Sequence, residues 1–128
     1  MSDALVDPSL FLLRLLLAAL FGSSGWAHVT RAAERAESVG LSPGATRLVG
    51  IVEIAGAVSL TLGLYAQVGA VLLIGVMFGA IQKKLFVWKT GFWGDRSQGW
   101  FYDLLYLVCN LVIVATGGGA IAITGPLF

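Results

Sequence analysis

Apolar residues fill four long stretches of this chain, and polar residues gather at the joints between them and at a few positions inside. The stretches are Ser9–His28, Ala45–Tyr65, Ala66–Phe86 and Gly99–Gly117, each near the length of about 20 residues that crosses a bilayer as a helix. Ser42-Pro43 supplies an N-cap and a proline at the first helical position of the second run. Tyr65-Ala66-Gln67 is too short for anything but a tight turn, so runs two and three should form an antiparallel hairpin. Between runs one and two, VTRAAERAESVG spaces Val29, Ala32, Ala36 and Val39 helically. This reads as a short amphipathic helix, or an extension of the first span, stopped by Gly40. The expected fold is all-α: one domain, 1–128, an integral membrane four-helix bundle running up-down-up-down.

Composition agrees. Of 128 residues, 58% are hydrophobic and 12% charged, too apolar for an ordinary soluble domain. The net charge of +1 gives no reason to expect nucleic-acid binding. One cysteine, Cys109, rules out a disulfide framework within the chain. Arg14 ahead of Leu15–Gly22 has the outline of a secretory signal, but no A-x-A-like site follows, and the run is read as a retained helix. Arg31, Arg35, Arg47, Lys83, Lys84, Lys89 and Arg96 fall on one side of the expected bundle. The other side carries no Lys or Arg outside the spans. The positive-inside rule then makes the basic loops cytoplasmic and both termini external in a multi-pass protein of a bacterial-type cytoplasmic membrane. Trp26, Trp88, Trp93 and Trp100 share the basic side, as an aromatic belt would.

Glu53 lies well inside the second run. A charged carboxylate at mid-bilayer costs roughly 3 kcal/mol on insertion scales. At 1.5 Å per residue, Glu53 sits about 12 Å below the basic surface, too deep to snorkel. It must be paired, hydrogen-bonded or protonated. Gln82, Lys83 and His28 end their runs on the same side, and Asp103, Tyr106 and Asn110 enter the fourth run from it. Faces converge too: Asp103, Tyr106, Asn110 and Gly117 make one helical stripe. So do Arg14, Ala18, Phe21, Gly25 and His28, and likewise Gly50, Glu53 and Ala57. Polar atoms within a bilayer must face protein or water, so these stripes should turn inward around a half-polar cavity.

Each residue also has a plainer role. Glu53 is either a structural tie to Tyr106, Asn110 or a serine, or a proton-exchanging group. Arg14 is expected to snorkel outward. His28 reads as an interfacial residue, and Lys83 and Lys84 as basic anchors. No metal site is evident: one histidine and one cysteine cannot supply bis-histidine haem ligation and poorly suit zinc. No phosphate loop, nucleophile elbow or dinucleotide fingerprint is present. Gly75-x-x-x-Gly79 on the third run and Ser59 with Gly63 on the second are small-residue pairs expected to pack against neighbouring helices.

Several stretches resemble the DoxX family: the early Arg14, the ending Gly25-Trp26-Ala27-His28, VEIAGAVSLTLGL from Val52, MFGAIQKK from Met77 and GGGAIAITGP from Gly117. The family more usually has Lys where this chain has His28. The resemblance covers nearly the whole chain and implies a small four-helix integral membrane protein. Some relatives are subunits of thiosulfate:quinone oxidoreductase and others belong to redox-stress complexes. It therefore implies a quinone-linked subunit of a membrane redox complex, with quinone the cofactor to expect and a partner subunit supplying electrons. The alternatives are a non-catalytic accessory subunit of a larger membrane complex, or a small transporter. Partners would be the lipid bilayer and other membrane subunits or further copies of the chain.

Overall fold

A computed structural model describes residues 3–94, 99–125 and 127. Arg96 of the basic loop lies outside the described residues. After a 3-10 turn at Asp3–Leu5 come α1 (Val6–Thr30), α2 (Ala32–Val39), α3 (Pro43–Leu62), α4 (Ala66–Gln82) and α5 (Phe101–Thr116). A π-helical turn, Lys83–Val87, continues α4. Three helical segments are long and apolar enough to cross a membrane: Val6–Thr30, Pro43–Leu62 and Ala66–Val87. The fourth, α5, is apolar but shorter. Its 16 residues span about 24 Å, against about 30 Å of hydrocarbon. Gly117, Gly118 and Gly119 take φ of 80°, 87° and 90° in succession, which stops the helix.

Local chemistry sets the joints. The Ser42 hydroxyl accepts from Ala45 N at 3.1 Å and caps α3, with Pro43 in its first turn. Arg31 leaves helical geometry for a single residue and separates α2 from α1. Gly40, at φ 72°, ends α2. Gly63, at φ 65°, ends α3 two residues before the expected boundary, and Tyr65 follows at φ 51°. The tight turn is therefore Gly63–Tyr65, and Ala66 and Gln67 already belong to α4.

One end of the molecule is tightly closed. Gly56 faces Leu73, where a methyl group on the glycine would lie 2.8 Å from the leucine side chain. Ser59 packs on Gly69 and Ala122 on Gly63. Residues past α5 fold back over the α3–α4 turn: Ile123 N donates to Leu62 O, Thr124 N to Gly63 O and Tyr65 N to Thr124 Oγ1. Gln67, buried at the start of α4, donates to Val114 O and accepts from Leu127 N. Arg14 does not snorkel. It is fully buried, and it donates from Nε to Leu60 O at 2.9 Å and from Nη1 to Gly118 O at 3.1 Å. The apolar core, centred on Leu17, Phe21, Leu60, Ala70, Leu73 and Ile113, adjoins this end.

Toward the other end α3 and α4 part. A methyl group on Gly75 or Gly79 would meet nothing within 4 Å. The G-x-x-x-G pair therefore has no helix of this chain packed on it: both glycines border the open cleft described below. The ends of α1, α2 and the π turn meet at this basic end, where Lys83 Nζ donates to Gly40 O at 3.0 Å and Trp88 lies against Gly40.

Candidate functional site: a cleft with two buried acid–base contacts

The first contact arises from a close helix crossing. A methyl group on Gly25 would lie 2.7 Å from Gly50 O and 3.0 Å from the Glu53 Cβ; one on Gly50 would lie 2.7 Å from Gly25 O and 2.8 Å from the His28 Cβ. Each glycine thus sits opposite the polar residue that follows its counterpart by one turn. The absence of two Cβ atoms lets α1 and α3 approach closely enough to bring the side chains together. His28 Nδ1 lies 2.8 Å from Glu53 Oε1, and Ser24 Oγ is 3.3 Å from the same nitrogen. His28 is 7% exposed and Glu53 2%.

The second contact depends on the π turn. Successive lysines leave it in different directions. Lys83 reaches Gly40, whereas Lys84 Nζ lies 2.8 Å from Asp103 Oδ2 and 3.9 Å from the centre of the Tyr102 ring. Lys84 and Asp103 are 8% and 2% exposed. A charge so deeply buried is tolerated when it is paired, and the Tyr102 face adds a cation–π attraction.

Both contacts line one cleft of about 1260 Å³. Its walls are mostly apolar, with Leu20, Phe21, Leu72, Val76 and Met77 among them. Its polar lining includes Ser24, His28, Glu53, Lys84, Tyr102, Asp103 and Tyr106, with Arg35 of α2. Tyr106 is half-buried and stands edge-on to Phe21, ring centres 6.0 Å apart.

Several expectations change here. Glu53 is buried, and its close partner is His28, with a serine, Ser24, beside the pair, rather than Tyr106 or Asn110. His28 is a buried partner of the acid, not an interfacial residue. Asn110 is fully buried below the cleft and does not line it. Its Nδ2 donates back to Tyr106 O at 2.9 Å within α5, and its Oδ1 has no hydrogen-bond partner. Gln82 is exposed at the cleft edge. Lys83 also lines the cleft, but Lys84 is the lysine that pairs with Asp103. Sequence reasoning passed over Tyr102 and read Arg35 only as a loop charge. Tyr102 was findable as the neighbour of Asp103. Among the described residues no three His, Cys, Asp or Glu side chains converge as a metal site would require.

Long apolar helices around buried, paired charges define a multi-pass helical membrane protein with a polar cleft near one end. A family model places it further: the DoxX-like family matches residues 12–109, so the chain belongs to that family. No curated protein and no solved structure matches it.

Proposed function

We propose that the chain is a quinone-linked subunit of a membrane redox complex, and that its cleft receives the ring of a membrane quinone. One observation carries this reading: a mostly apolar cleft of about 1260 Å³ that gathers two lysines, two tyrosines and a histidine. Drug-sized ligands occupy about 300–1,000 Å³, so the cleft has room for a substituted ring and part of an isoprenoid tail. Lys84 and Tyr106 carry the N–H and O–H groups that quinone carbonyls accept, and Asp103 holds Lys84. The chain brings no electron carrier of its own to this reading, so a partner subunit supplies electrons.

In this reading α1, α3, α4 and α5 cross the bilayer up-down-up-down as one domain, with the basic end cytoplasmic and the closed end outside. A cytoplasm-dependent reporter inserted after Arg35 should be active and one inserted after Leu64 inactive; the reverse pattern overturns the orientation. For the ligand, the purified protein in lipid nanodiscs is titrated with decylubiquinone while tryptophan emission is followed, since Trp88 lines the cleft. Saturable quenching, weakened by Tyr106→Phe, supports the reading. A parent protein that shows no saturation is not a quinone subunit. A large native assembly without quinone would then favour an accessory role.

A further inference from the structure

We propose that His28 is the residue that meets the bound ring, that Glu53 is a positioning residue fixing the histidine's tautomer, and that the site prefers the hydroxyl-bearing quinol over the quinone. The inference rests on the cleft reading above and deepens it. It starts from which side of the imidazole is occupied. Nδ1 is the side turned to the acid: Glu53 Oε1 lies 2.8 Å away, within ion-pair distance but not aligned as a hydrogen bond, and Ser24 Oγ lies 3.3 Å away. Nε2 has no hydrogen-bond partner among the described residues. Nor is it among the buried polar atoms left without one, so this nitrogen is open, on a residue that lines the cleft.

An ionised carboxylate can only accept hydrogen bonds. With Glu53 ionised, the Nδ1 that faces it carries the ring hydrogen. In a neutral imidazole the other nitrogen is then left as an acceptor. Ser24 fits the same arrangement, because a hydroxyl can accept a share of the Nδ1 hydrogen. The Gly25–Gly50 crossing holds this geometry through the backbone, so the ring's orientation does not depend on the ligand.

An acceptor at Nε2 selects its ligand. A quinone ring carries carbonyl oxygens, which also only accept, and it gains nothing at Nε2. A quinol carries O–H groups and can donate to it. The cleft is then two-sided. Lys84 and Tyr106 offer hydrogens on the α4–α5 side, and His28 accepts one on the α1–α3 side. The reduced ring satisfies both sides; the oxidised ring satisfies one. Arg35 and Lys83 also line the cleft, but both are donors and do not distinguish the two forms in this way.

The chain has a single histidine, so ¹⁵N-histidine labelling reports this ring alone. Spectra of the protein in nanodiscs are recorded well above the ordinary imidazole pKa of about 6.5. They should show protonated Nδ1 and bare Nε2, and Glu53→Gln should populate the second tautomer with helix content unchanged. Decylubiquinol, kept reduced, should move the Nε2 signal; decylubiquinone should move it little. His28→Phe should weaken quinol binding several-fold more than quinone binding. A parent spectrum of the Nε2-protonated ring or of imidazolium overturns the assignment. Equal shifts with both ligands overturn the preference for quinol. The expected tautomer, unmoved by either ligand, overturns the quinone reading and His28's contact with the ring, and leaves only Glu53's positioning role standing.

Discussion

At the closed end Arg14 is fully buried, with its guanidinium on two backbone carbonyls, Leu60 O and Gly118 O. At the basic end four ionisable side chains are buried as cross-helix pairs beside a cleft. Both ends remove charge from water, by different means. Backbone carbonyls cannot move or change protonation, so Arg14 serves as a fixed tie among α1, α3 and the segment after α5. The pairs at the basic end are side chain to side chain, and each leaves one face on open volume. A buried charge surrounded by backbone and tight packing holds a fold together, whereas buried pairs on a cavity wall are groups a ligand can reach.

The contrast can be broken from either end. The largest effect is expected for Lys84→Met, which strands Asp103 without its cation; removing one partner of a buried pair costs about 3–5 kcal/mol. Thermal melting in detergent should show that loss, and Lys84→Met with Asp103→Leu should recover most of it. A single variant that melts like the parent would mean that Asp103 does not depend on Lys84. Arg14→Met should cost less, on the scale of about 1.5–3 kcal/mol for hydrogen bonds to a charged group. No second substitution should rescue it, because its partners are backbone. It should also expose residues 118–124 to protease while sparing quinone binding.

Glycines sharpen the comparison on a smaller scale. Gly25→Val forces a Cβ to within 2.7 Å of the Gly50 oxygen, and such overpacking costs about 1–3 kcal/mol. The His28–Glu53 contact should open with it, which the ¹⁵N signal would report. Gly79→Leu meets nothing within 4 Å and should stay within about 0.5 kcal/mol. Gly79 borders the cleft, so a Gly79→Leu variant that proves the more damaging would mean that the cleft does not stay open there.

The helical runs were legible because four apolar stretches broken by Ser-Pro and glycine leave little choice of element. The inward stripe on α1 was legible as well: Arg14, Ala18, Phe21, Gly25 and His28 are all buried. Pairing was harder to read. Spacing along one helix says which residues share a face, but not which residue on the next helix lies opposite. Glu53 was placed beside Tyr106 or Asn110 for that reason. The missing clue was reciprocal, with Gly25 and Gly50 each three residues before the polar residue it helps to bring in. Lys84 was masked by the π turn, which redirects side chains that a regular helix would place elsewhere. Arg14 was misread because the carbonyls that hold it come from Leu60 and from a glycine-rich stretch with no helical pattern.

Arg14 and Gly118 stand 104 positions apart, which sets an order of events during synthesis. When the ribosome has made α1, the arginine is already committed to an apolar helix, and the second of its two carbonyls does not yet exist. Leu60 becomes available with α3. Gly118 follows only after α4 and α5 have been made. Until then the membrane holds a chain with one charge incompletely satisfied, and the segment that crosses the α3–α4 turn is still unmade. The closed end is thus the last part of the molecule to be finished, although it contains some of the first residues translated. The His28–Glu53 contact, by contrast, needs nothing beyond α3 and is available from the first half of the chain.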